Sequence, residues 1–228
     1  MPVIVFSSPK GGAGKTTAAT ILATELAHAG ASVTVIDADP NRNVADWFKL
    51  PGAPAGLSVI ADANEETIID RIEEARAAAA FVIVDMEGTA SVIVSYAIGL
   101  ADLVIVPLQG SQLDARQAAR AIKQVTSQER VVGRPIRHAL LLTRTSPTLK
   151  PRTQQHIEKR LSELGLPVLQ TRLIDREAYR AIFSFGGTLH GLTGKNVSNL
   201  ATAVENARAF VSEVVGMVRS REAARDVA

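Results

Sequence analysis

The densest chemistry in the chain lies in ten consecutive residues near its start: Ser8-Pro9-Lys10-Gly11-Gly12-Ala13-Gly14-Lys15-Thr16-Thr17. Glycines at 11, 12 and 14 let successive backbone N–H groups turn inward around an anion. The residues that follow, 15–29, carry apolar side chains at helical spacing, so the positive end of a helix faces the same anion. Lys15 is placed to reach phosphate oxygens and the Thr16 hydroxyl to ligate magnesium. Residue types and order together predict a grip on a nucleoside triphosphate by Lys10, Gly11, Gly12, Ala13, Gly14, Lys15, Thr16 and Thr17. Lys10 adds a second positive charge. Phosphoryl transfer needs such charge, because it depends on neutralising the transferred group more than on covalent help.

Carboxylates end two apolar runs. Val33-Thr34-Val35-Ile36 leads into Asp37-Ala38-Asp39-Pro40-Asn41, and Phe81-Val82-Ile83-Val84 leads into Asp85-Met86-Glu87-Gly88. The C-terminal edge of a parallel strand is where open α/β sheets place their ligands. Asp85 is therefore expected to hold magnesium, directly or through water, and the Gly88 N–H to sense the terminal phosphate. Glu87 reads as a solvated loop carboxylate in preference to a catalytic base.

Positioning these groups takes strands that end together and helices that begin there. Bounded apolar runs predict strands at 2–7, 32–37, 81–85, 102–107 and 138–143. Apolar residues three or four apart predict helices at 15–29, 64–79, 111–128, 150–164, 175–184 and 196–219. The alternation implies right-handed crossovers and an α/β fold: a mostly parallel twisted sheet with helices on both faces. A chain of 228 residues is expected to make one domain, 1–228. The Pro51-Gly52-Ala53-Pro54-Ala55-Gly56 stretch reads as a connecting loop, and Ser220–Ala228 as a fraying end.

The glycine-rich loop departs from the ordinary phosphate-binding pattern by carrying Pro9 where a glycine is usual. It matches the deviant form Lys-Gly-Gly-x-Gly-Lys-Thr-Thr, and in this it resembles the ParA/MinD family of P-loop ATPases. The resemblance covers Pro2 to about residue 215, with its specificity concentrated in the first 90 residues. It implies that Lys10 reaches across a dimer interface to the partner's nucleotide, so ATP binding and homodimerisation are coupled. It also implies that Asp39 orients the attacking water, that Asp37 supports the magnesium shell beside Thr16 and Asp85, and that Lys10, Lys15 and Asp39 form the catalytic set. Thr143 and Arg144, at the end of the fifth strand, correspond to residues near the adenine, and Thr171–Arg176 to a late segment beside the nucleotide. Two departures stand out: Asp85-Met86-Glu87-Gly88 replaces the common Asp-x-Pro-Pro, and Thr143 replaces Asn.

Composition narrows the partners. The chain has no cysteine, which removes disulfides, thiolate metal sites and the cluster-carrying relatives of this family. Net charge is +2, but its distribution is uneven: Lys and Arg number 6 against 12 Asp and Glu in residues 1–100, and 11 against 4 in residues 130–180. That basic stretch predicts a surface for nonspecific DNA at Lys150, Arg152, Lys159, Arg160, Arg172, Arg176 and Arg180. The expected function is a partition-type ATPase: an ATP-bound dimer that holds DNA, with hydrolysis stimulated by a ParB-like or other adaptor. No helix-turn-helix segment precedes the loop, and no signal peptide or spanning segment is apparent. The expected setting is cytoplasmic and nucleoid-associated, without stable membrane insertion. The same core would serve a positioning or scaffold ATPase for conjugation, secretion, chemotaxis or a MinD-like membrane-associated role.

Overall fold

In the computed structural model, residues 1–88, 91–109, 112–146, 159, 161, 163–195 and 197–225 are described, the side chains of 112–115 and 220–225 excepted. Seven strands form the sheet: β1 (Val3–Phe6), β2 (Val33–Ala38), β3 (Leu57–Ile60), β4 (Phe81–Met86), β5 (Leu103–Leu108), β6 (Arg137–Thr145) and β7 (Leu173–Ile174). Their order is β3-β2-β4-β1-β5-β6-β7, and every pairing is parallel. β1, β2 and β5 are buried along their whole lengths, because helices cover both faces and leave no side for polar residues.

Alternation along each strand divides the core in two. Ile4 and Phe6 of β1 face the layer built by α1 (Lys15–His28), α2 (Asn43–Phe48), α6 (Glu177–Phe185) and α7 (Leu200–Arg225). Val3 and Val5 face α3 (Ile68–Ala78), α4 (Val92–Leu100) and α5 (Gln112–Val132). β1 lies between β4 and β5, so the loop leaving its C-terminal end opens at the middle of the sheet edge. Three functional strand ends, those of β1, β2 and β4, are adjacent there.

The five strands expected from sequence are all present, within a residue or two at each end. The sequence reading omitted β3, β7, α2 and α4. β3 is a four-residue Leu-Ser-Val-Ile strand with one fully buried side chain, too short for its own periodicity and held by pairing with β2. α4, Val-Ile-Val-Ser-Tyr-Ala-Ile-Gly-Leu, is rich in β-branched residues and reads locally as a strand. Its packing between α3 and α5 makes it a helix. α5 runs four residues past its expected end, and α7 continues to Arg225, through residues expected to fray. The expected helix at 150–164 falls largely outside the described residues; Lys159, Leu161 and Glu163 within it are helical.

A tight junction joins the two ends of the α1–α2–α6 layer. The Trp47 indole N–H donates to the Gly187 carbonyl at 3.1 Å, and the Cα of Gly187 lies 3.0 Å from where a Cβ on Gly52 would stand. Gly186, at φ 79°, has no room for a side chain: a Cβ there would meet the Pro51 carbonyl at 2.6 Å. The loop after α2 is thereby fixed to the end of α6.

Candidate functional site

The phosphate-binding loop has the conformation its glycines allow. Gly12 and Gly14 take φ of 70° and 94°, the left-handed region that a Cβ disfavours. Gly14 caps α1, no side chain caps that helix, and no acid occupies its first turn. Its leading N–H groups are therefore left for an anion. Lys15 is buried at 6% exposure, with its ammonium among the acids below.

Two residues from other strands hold the loop in this shape. The Thr143 hydroxyl at the end of β6 donates to the Ala13 carbonyl at 2.7 Å, and its Cβ would stand 3.3 Å from one on Gly14. Thr143, expected near the adenine, gives its hydroxyl proton to the loop and also lines the cleft behind it. Gln109, just past β5, donates its amide N–H to the Gly12 carbonyl at 2.6 Å. Its carbonyl oxygen accepts from the Lys10 ammonium at 3.5 Å. Sequence reasoning missed Gln109, whose one local signal is a polar residue at the C-terminal edge of a buried strand next to β1.

The acids assemble through strand register. Asp37 on β2 stands opposite Asp85 on β4, and Asp85 also pairs in register with Phe6 on β1. Asp37 accepts from the Ala45 N–H at 2.9 Å and from the Asp39 N–H at 3.3 Å, so it pins the start of α2. Burial pushes its carboxyl above the usual carboxylate range, opposed by these backbone N–H groups. Asp85 is fully buried, and burial pushes it up to about 7. The Thr16 hydroxyl and the Lys15 charge favour its ionised form, while Asp37 and Asp39 oppose it. Among the described residues neither oxygen of Asp85 completes a hydrogen bond of standard geometry, the Thr16 hydroxyl being its polar neighbour. A buried carboxylate without such a bond, beside a hydroxyl and a second carboxylate, is a donor set suited to a hard divalent cation such as magnesium. Thr16, Asp37 and Asp85 thus fit the ion for which they were singled out.

Asp39 is half-buried. One of its oxygens accepts from both the backbone N–H and the side-chain amide of Asn41, each at 2.9 Å. The Asp39-Pro40-Asn41 turn thus forms, and Asp39 still lines a cleft of about 340 Å³ with Gly11–Thr17, Glu87, Gly88 and Arg144. Gly88 rests on the loop itself: a Cβ there would lie 3.3 Å from the Gly11 nitrogen. Arg144 is exposed and held at φ 50°, a strained angle for arginine. It borders both this cleft and a second one, of about 160 Å³, between Gly14, Thr143, Ile174 and Tyr179. Of the late segment expected beside the nucleotide, Thr171–Arg176, residues 173–176 line the wall of this second cleft.

Of the DNA candidates, Lys150, Arg152 and Arg160 lie outside the described residues. Lys159 is exposed and 3.9 Å from Glu163. Arg172 is partly buried, Arg176 donates to the Thr202 hydroxyl at 2.9 Å, and Arg180 pairs with Asp175. Arg176 and Arg180 therefore border the second cleft, whose wall includes Gly14 and Thr17 of the phosphate loop and the start of α1.

A glycine loop ahead of an uncapped helix, a buried lysine and paired acids at the edge of a parallel sheet define a P-loop NTPase, of the kind with a second lysine in its loop. The chain matches the family model described as VirC1 protein over residues 1–219. It belongs to the VirC1 protein family, within the ParA-like partition and positioning ATPases. It is 41% identical over 214 residues to Protein ParA of Rhizobium radiobacter, covering 94% of this chain and 96% of that protein. Among solved structures, the Cyanothece McdA(D38A)–ATP complex superposes with a TM-score of 0.79 at 17% identity, over 94% of this chain and 96% of that one. The MinC:MinD cell division protein complex of Aquifex aeolicus gives 0.73 at 17% identity, over 95% and 96%. These structures share the fold.

Proposed function

We propose that the chain is a ParA-type ATPase that binds MgATP in the 340 Å³ cleft, dimerises on doing so, and as a dimer holds nonspecific DNA to position plasmid or chromosomal DNA. The observation that carries the reading is an uncapped helix N-terminus opening on one cleft, with Lys15 and Thr16 in its lining and the Asp85 carboxyl buried beside both. Lys15 and the loop amides grip the phosphates. Thr16 and Asp85 hold magnesium with Asp37 behind them, and the ion supplies charge neutralisation to the phosphate oxygens. Asp39, beside the cleft and free at one oxygen of its turn, orients the attacking water. Lys10 reaches the partner subunit's nucleotide, so the terminal phosphate decides whether two subunits close. Hydrolysis is slow and rises when a ParB-like adaptor engages the dimer.

The test is nucleotide-dependent mass in solution together with filter binding to a random duplex. With MgATP the wild type should run as a dimer and retain DNA, whereas with ADP it should be monomeric and release it. Lys15→Ala should bind no nucleotide, and Asp39→Ala should bind ATP and stay dimeric. A protein that takes up MgATP yet remains monomeric, in the wild type and in Asp39→Ala alike, would sink the dimer switch. One that dimerises without retaining DNA would point to a non-DNA cargo.

A further inference from the structure

α5 presents a line of cations to solvent. Arg116, Arg120, Lys123 and Arg130, with Ser127 among them, are all exposed, while Ala118, Ala121 and Val125 on the opposite side are buried. Separations of four, three and seven residues keep the four charges on one side of the helix, over about 21 Å at 1.5 Å per residue. Among the described residues none of the four has an ion pair or side-chain hydrogen bond. Lys159, Arg176 and Arg180, by contrast, are each engaged within the chain.

Acids are scarce around this line. α4, which packs alongside, has no charged residue. The one acid among the described side chains of α5 is Glu129, which accepts from the Ile136 N–H at 2.9 Å. In the same layer α3 carries Asp70, Glu73 and Glu74 against Arg71 and Arg76, so it adds no net positive charge to that of α5. The line also connects to the nucleotide site. Arg120 borders a cleft of about 500 Å³ with Pro9, which precedes Lys10, and with Ser91 and Val92, which start α4 shortly after Gly88. Movement of the loop on a triphosphate, or of the segment after Asp85, would shift the wall against which Arg120 lies.

We infer that the α5 face is a surface for the phosphate backbone of duplex DNA, controlled through Pro9 and the start of α4. The line of about 21 Å matches about six phosphate spacings per strand along a duplex axis, at 3.4 Å each, so each of the four exposed cations can meet phosphates. An acidic protein segment would need apolar anchors between the charges to bind specifically, and Ser127 occupies the middle of the line. The inference rests on the DNA reading above and gives it a surface that residue counting had not singled out.

The test uses full-length protein with MgATP and fluorescence anisotropy on a random-sequence duplex over a series of salt concentrations. Removing three charges per subunit in Arg116→Gln/Arg120→Gln/Lys123→Gln should flatten the log–log salt dependence by about 2.7 for each subunit of the dimer that contacts the duplex, at about 0.9 per lost phosphate contact. Affinity at low salt should fall at least about tenfold. The Arg116→Lys/Arg120→Lys variant should restore both. If the triple variant does not fold, as judged by circular dichroism, Arg120→Gln alone should flatten the slope by about 0.9 for each contacting subunit. Wild type that binds DNA and a folded triple variant with the same slope overturn this surface alone. A variant that loses binding to polyglutamate but not to DNA overturns it in favour of an acidic protein partner. Wild type that binds no DNA under MgATP removes the DNA reading and this surface together.

Discussion

Replacing Asp85 with Asn tests the claim that the magnesium position is built at the expense of the empty protein. Asp85 is fully buried, neither of its oxygens completes a standard hydrogen bond among the described residues, and burial raises it from 3.8 to about 7. Below about pH 4 the group is protonated in both folded and unfolded chains, and it carries no penalty. As pH rises from about 4 to about 7 the unfolded chain releases a proton that the folded chain retains, so stability falls through that window. Above about 7 the folded protein holds a buried charge, and the penalty levels off. A rise of about three units at 1.36 kcal/mol each amounts to about 4 kcal/mol. Asp37 stands in register beside it and is also raised, so the two titrate as a pair and the measured figure should fall between about 2 and 4 kcal/mol.

At pH 8, with chelator and no nucleotide, Asp85→Asn should therefore unfold later than wild type. At about 2–4 °C per kcal/mol for a chain of this size, the gain is about 4–16 °C. At pH 5 the difference should shrink, and magnesium with nucleotide should raise the wild-type midpoint while leaving the variant nearly unmoved. Thermal melts by circular dichroism at pH 5, 6, 7 and 8, with and without magnesium, give all of these values. If the chelated wild type melts at one temperature across this range, or Asp85→Asn melts below it at pH 8, the account of Asp85 as a strained ligand is wrong.

Gln109→Leu removes the donor to the Gly12 carbonyl and the acceptor for Lys10; one hydrogen bond at about 1 kcal/mol should weaken ADP binding about fivefold, read by calorimetry. Gly186→Ala sets a Cβ 2.6 Å from the Pro51 carbonyl at φ 79°, and denaturant titration should show a loss of at least about 2 kcal/mol. Gly14→Ala forces a Cβ against Thr143 at φ 94°; it should lower affinity for ADP and ATP alike, and the paired change Thr143→Ser, which removes the methyl in the way, should recover part of the loss.

The sequence by itself determined the pieces whose causes are local. Three glycines and two lysines before an alanine-rich helix specify a phosphate loop wherever they occur, since the backbone freedom and the helix end are properties of adjacent residues. Asp37 and Asp85 were legible because a bounded apolar run ending in Asp is a short-range pattern. α2, β3 and α4 were not, because six-residue helices, four-residue strands and β-branched helices owe their state to the neighbours they pack on. Tertiary structure alone decided that Asp37 and Asp85, 48 positions apart, share one site, through the insertion of β4 between β2 and β1. It also decided that Gln109 and Thr143 brace the loop from two other strands. Among the described residues it left Arg116, Arg120, Lys123 and Arg130 without ion pairs, while Arg176 and Arg180 found partners. Sheet order and the pairing of distant charges depend on contacts between residues far apart in sequence, and no local pattern along the chain encodes them.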